Sequence, residues 1–165
     1  MRTALIDALV CLAVVLAHTT LTKFIVIGGI VPDIPLIAVV YLALRRGQVV
    51  GTVAGFGMGL ALDLLSGTDG MLGLSALAKT SAGFVAGYFY NENKMNQFLG
   101  GYQFVVVVTL ASAVHNLLYF LIFLQGSGLN WTMTLVRYGL PTTFYTAMVS
   151  VIPMFVSARK DFAQA

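Results

Sequence analysis

The sequence predicts an all-α polytopic membrane protein with six transmembrane helices and both termini in the cytoplasm. Three observations carry this reading. Of 165 residues, 59% are hydrophobic and 9% charged, with a mean hydropathy of +0.92, whereas a soluble domain carries about a quarter charged residues. Apolar runs approaching the ~20 residues needed to cross the hydrocarbon recur along the whole chain. With six spans, Arg2, Arg45, Arg46, Lys94, Arg159 and Lys160 share one side, and only Lys23 lies in a loop on the other. That asymmetry is a positive-inside signal for cytoplasmic termini.

Nothing outside the apolar runs is long enough for a second domain, so residues 1–165 read as one. The first span covers about 3–21 and ends in the polar group HTTLTK. It begins like a signal peptide, but Asp7 inside it, the lack of a small-x-small cleavage site and the spans downstream predict an uncleaved helix. Cys11, the single cysteine, can form no intrachain disulfide. The piece 24–31 (FIVIGGIV) is weakened as a helix by Gly28 and Gly29. It reads as an interfacial or protein-covered entry into a short second span, 32–44, which opens on Pro32. Thirteen residues give only about 20 Å, so this span needs bilayer thinning or help from its neighbours.

The third span covers about 48–65, the fourth 73–90, the fifth 98–124 and the sixth 132–156. The loop NENKMNQ separates the fourth and fifth, and QGSGLN the fifth and sixth. Pro141 and Pro153 lie inside the last span, which predicts a kink near 137–141. The loops holding Lys23, Gly67 to Gly70 and Gly126 to Asn130 face outward under this topology.

Residues 47–87 organise the chain: GQVVGTVAGFGMGLALDLLSGTDGMLGLSALAKTSAGFVAG. Gly47, Gly51, Gly55, Gly59 and Asp63 recur every four residues, as do Lys79, Gly83 and Gly87. Positions four apart share a helix face, so each segment carries a small-residue strip with a charge at its loop-side end. Folded about a turn near Met71, the segments place Asp63 opposite Lys79, Gly59 opposite Gly83 and Gly55 opposite Gly87. Such strips allow close backbone approach where lipid offers no hydrophobic incentive to associate. The register favours a pair between Asp63 and Lys79; a pocket shared by both is the alternative.

Five polar groups lie within the spans: Asp63, Lys79, His115, Asn116 and Arg137. Counted inward at about 1.5 Å per residue, Asp63, Lys79, His115 and Arg137 fall within roughly 5–13 Å of the outer end. Each charge at mid-helix costs about 2.5–3.5 kcal/mol on insertion scales, so several at one depth predict an internal polar cluster. It serves as a ligand site or conduction path on one reading, and as a buried network fixing helix packing on the other. No Ser/His/Asp, HExxH, CxxC or phosphate-loop pattern is present, so neither an enzyme, a metal site nor a cofactor is expected. Asp33, beside Pro32, reads as an N-terminal helical acid interacting with the macrodipole. The scattered basic residues do not suggest nucleic-acid binding.

The run VPDIPLIAVVYLALRRGQVVGTVAGFGMGLALDLLSGTDGMLGLSALAKTSAGFVAGYF resembles the rod shape-determining MreD family. Four elements match in order: Pro32-Asp33 entering an apolar helix, Arg45-Arg46-Gly47 as a basic-glycine turn, Asp63 to Gly67 closing a glycine-rich helix, and Gly70 to Leu77, which includes Gly73 and Leu74. The resemblance covers 31–90 well. It implies a non-enzymatic scaffold of the cell-wall elongation machinery in the bacterial cytoplasmic membrane. The expected partners are MreC directly and the filament protein MreB and peptidoglycan polymerases indirectly, within membrane lipid. The family is also similar in fold to the S components of energy-coupling-factor transporters, which implies an S-component-like bundle. The alternative function is therefore a small-molecule or lipid-headgroup binding subunit using Asp63, Lys79, His115 and Arg137.

Overall fold

The computed structural model describes residues 2–66, 72–125 and 130–162. The expected turn at Met71, Gly67 to Gly70 and the loop residues 126–129 lie outside the described residues. Among the described residues eight α-helices follow in chain order: α1 (Arg2–Ile25), α2 (Ile34–Arg46), α3 (Gln48–Ser66), α4 (Leu74–Gly87), α5 (Met95–Gly100), α6 (Tyr102–Phe123), α7 (Trp131–Thr134) and α8 (Leu140–Phe162). A 3-10 turn (Glu92–Lys94) precedes α5, and a π-helical turn (Leu135–Gly139) joins α7 to α8.

α1 continues four residues past its expected end because its polar stretch satisfies itself. Thr19 and Thr20 donate to the Leu16 carbonyl and Thr22 to that of Thr19, a back-bonding that keeps hydroxyls compatible with a helix. The entry segment then reverses on Gly28 and Gly29, at φ +58° and +82°. Two adjacent left-handed residues make the tight turn that bridges Ile27 to Ile30. The expected fifth span is broken at Gly101, whose extended backbone separates α5 from α6. Adjacent Gly100 and Gly101 weaken the helix there, and Gly100 lets α5 lie against Ala158 of α8. The expected disturbance near 137–141 is the π turn: the Leu140 N–H reaches back to the Leu135 carbonyl, just before Pro141.

α2 is the centre of the bundle. Leu36, Ile37, Val40 and Leu44 pack with Ala82 and Ala86 of α4, Leu99 of α5 and Phe104, Val107, Val108 and Ala111 of α6. Val149 and Met154 of α8 close the cluster. α1 is peripheral: Val15 is its one buried residue among those described. Large apolar side chains such as Phe56, Leu77, Phe144 and Phe155 point outward, while Asp63, Lys79, Ser112, His115, Asn116, Thr143, Thr146 and Ser150 are buried. That distribution suits a lipid solvent.

Four helical stretches are long and apolar enough to cross a membrane: Arg2–Ile25, Gln48–Leu65, Tyr102–Phe123 and Trp131–Arg159. α2 and α4, with 13 and 14 residues, reach only about 20 Å. The segment entering α2 is not protein-covered along its length: Val26 and Ile27 are exposed, and the chain becomes buried only at Pro32.

The α3–α4 hairpin packs backbone to backbone, in a different register from the one the glycine strips suggest. Gly51 faces Gly83, Gly55 faces the Lys79 carbonyl, Gly59 faces Ser75 and Ala76, and Gly87 faces Gln48. Gly59 and Gly55 therefore sit about two turns from the expected opposites Gly83 and Gly87. The physical reason lies at the loop end: α4 begins beside Gly59 and Asp63, so the last turn of α3 projects beyond it. A Cβ at Gly55 would collide with the Lys79 peptide, whereas one at Gly57 meets open space. Gly55→Ala should destabilise the protein by about 1–3 kcal/mol through overpacking, and Gly57→Ala should not; thermal melting of both variants in detergent checks this.

Candidate functional site

The chemistry-bearing residues converge where α2 begins. Pro32 restricts the entering chain, and Asp33 caps α2, its Oδ1 accepting from the Leu36 N–H at 3.0 Å. The Asp33 N–H donates to Thr146 Oγ1 of α8 at 2.9 Å, and that hydroxyl donates onward to the Thr142 carbonyl. The other carboxylate oxygen, Oδ2, accepts from Lys79 Nζ of α4. It also lies 3.4 Å from Nε2 of His115 on α6. One aspartate thus ties four helices together. The Lys79 side chain is 3% exposed and that of Asp33 12%, so both charges are out of solvent and rely on each other.

The pairing of Asp63 with Lys79 is corrected by this geometry. Asp63, 1% exposed, instead accepts from the backbone N–H groups of Gly73 (2.9 Å), Ser75 (3.2 Å) and Ala76 (3.2 Å). It caps α4 from across the hairpin, and its negative charge meets the positive end of the helix dipole. Gly73, at φ +97°, adopts the left-handed conformation that turns its N–H toward this carboxylate. Leu74 begins the helix and is buried. Lys79 lies level with Gly55, about 12 Å from the level of Asp63 at 1.5 Å per residue.

The remaining members of the expected cluster separate. Asn116 of α6 donates to Thr143 Oγ1 (2.8 Å) and to the carbonyl of Gly139 in the π turn (3.1 Å), a link between α6 and α8. Arg137 is exposed, its guanidinium 5.8 Å from the Tyr138 ring centre, and it does not join Lys79 and His115. The structure therefore unites Lys79 and His115 around Asp33, which sequence reasoning had assigned only to its own helix. A signal was present: Asp33 opens an otherwise apolar helix, and an acid in apolar surroundings needs a partner. Among the described residues, His18 Nδ1, His115 Nδ1 and Arg46 Nε are buried without a hydrogen-bond partner.

Long apolar helices, an outward apolar surface and an internal ion cluster define a polytopic helical membrane protein. The family model described as rod shape-determining protein MreD matches residues 2–159, and the chain belongs to that rod shape-determining family. No curated protein and no solved structure matches it.

The Asp33–Lys79 pair makes a sharp prediction. Lys79→Met should cost about 3–5 kcal/mol by leaving an uncompensated buried carboxylate. Asp33→Asn combined with Lys79→Met should recover much of that loss; a double-mutant cycle on unfolding in detergent measures the coupling.

Proposed function

We propose that the protein is a non-enzymatic scaffold of the cell-wall elongation complex in the bacterial cytoplasmic membrane, binding MreC and through it serving MreB and the peptidoglycan polymerases. The observation that carries this reading is the family match across residues 2–159. The internal chemistry supports it. The carboxylates of Asp33 and Asp63 are taken up by groups of the chain itself, as befits a network that fixes helix packing. The capture-subunit alternative called on Arg137 and Asp63 to share a pocket with Lys79, and these side chains are otherwise engaged.

In this reading the chain crosses the membrane six times, α2 and α4 completing the count as short spans sheltered by their neighbours. Both termini and the Arg45-Arg46-Gly47 turn face the cytoplasm. The site at Asp33 then belongs to the outer half of the bilayer, and the loops leave little chain outside for partner contact. Recognition of a partner falls to helix faces.

Affinity purification of the tagged protein should recover a bitopic partner with a large extracytoplasmic domain. Gly55→Leu or Gly59→Leu should reduce that recovery at least several-fold, because either side chain forces α3 from α4. Full recovery by stably expressed variants would refute the packing mechanism. Reporter fusions after Lys94 and Lys160 should report the cytoplasm, and fusions after Gly70 and Gly128 the outside; the opposite result at any one overturns the six-span topology.

A further inference from the structure

An apolar groove runs between α1 and α3 from the Arg46 end of the bundle. It encloses about 600 Å³ and is lined by Leu12, Val15, Val49, Val53, Gly57 and Met58. Val49 and Val53 are 76% and 65% exposed, so the groove opens sideways toward lipid. From Val49 to Ala61, both on its lining, α3 rises about 18 Å, comparable to one leaflet's ~15 Å of hydrocarbon.

Its mouth is polar and basic. Arg46 Nη2 pairs with Asp7 Oδ1 at 3.3 Å, while Nε is buried without a partner. Arg2 opens α1 at the same end of the bundle as the groove's mouth, while Arg45 donates to the Tyr41 hydroxyl outside the groove. We infer that this groove binds an anionic phospholipid, one acyl chain lying between α1 and α3 and the phosphate accepting from Arg46. The Arg46 side chain is 31% exposed and meets Asp7 through Nη2, which leaves guanidinium donors that can turn to a phosphate, and basic pockets between membrane helices select anionic headgroups. The size favours a lipid over a partner helix. A helix ~10 Å across and ~20 Å long occupies on the order of 1,600 Å³, far more than the groove holds. The bound chain would fill the space beside α1, the helix least held by the core.

Delipidated protein titrated with phosphatidylglycerol and with phosphatidylethanolamine, read by native mass spectrometry, tests this. The wild type should retain phosphatidylglycerol preferentially. Arg46→Gln should weaken that retention about fivefold and abolish the preference. Because this change also breaks the pair with Asp7, a second variant is needed. Gly57→Leu enters open space, so it should fold normally yet exclude both lipids by filling the groove. Undiminished phosphatidylglycerol retention in Gly57→Leu overturns the proposal. So does a Gly57→Leu protein that keeps its lipid but loses a co-purifying partner, which would assign the groove to a helix.

Discussion

The carboxylate of Asp33 is the constraint on which the rest of the bundle depends. It accepts from its own helix at Leu36, from Lys79 on α4, and faces His115 on α6, while its N–H is held by Thr146 on α8. Placing two charges in a medium of low dielectric costs several kcal/mol per ion, a cost offset only when geometry and hydrogen bonds are complete. A competing arrangement of these helices would strand Lys79 or Asp33 without a partner. The pair therefore penalises wrong packings more strongly than it rewards the right one, which is how a buried ionic contact specifies a fold in lipid.

The glycine-lined hairpin supplies what the ion pair cannot. Lipid tails are as apolar as leucine, so burying apolar surface between helices gains little there. Close contact must come from dispersion and fit, and α3 and α4 obtain it by removing side chains at Gly51, Gly55, Gly59 and Gly83. The same closeness sets the depth of Lys79 against Gly55 and leaves Asp63 free to cap α4. Packing and electrostatics are thus one arrangement, and moving α4 by two turns would undo the cap and the ion pair together.

Much of this was legible in the sequence. The helical membrane class, the glycine strips as a packing surface, the disturbance before Pro141 and the short second helix all follow from composition, four-residue spacing and proline chemistry. The register of the hairpin was not legible, because four-residue repeats match again after every turn and nothing in GTDGML states how far α3 overhangs α4. The break at Gly101 was hidden by the apolar run that follows. Asp33 was assigned to its own helix because its cap role satisfied local rules. Its partners stand 46 and 82 positions away, a separation that no spacing rule reaches.

α1 obeys a different balance from the other long helices. With Val15 as its one buried residue, it is held by the Arg46–Asp7 pair at one end, and at the other by the Tyr145 hydroxyl donating to the Ile25 carbonyl. Arg46 and Asp7 are 31% and 22% exposed, and partly exposed pairs contribute little. The apolar cluster of α2, α4 and α6 and the Asp33–Lys79 contact do not include α1, which instead packs through Val15 on Val39 of α2 and Met58 and Leu62 of α3. Attachment of α1 therefore rests mainly on the small apolar patch around Val15. α2, α4, α6 and α8 share the core keyed by Asp33, whereas α1 joins it through one apolar patch and a polar contact at each end.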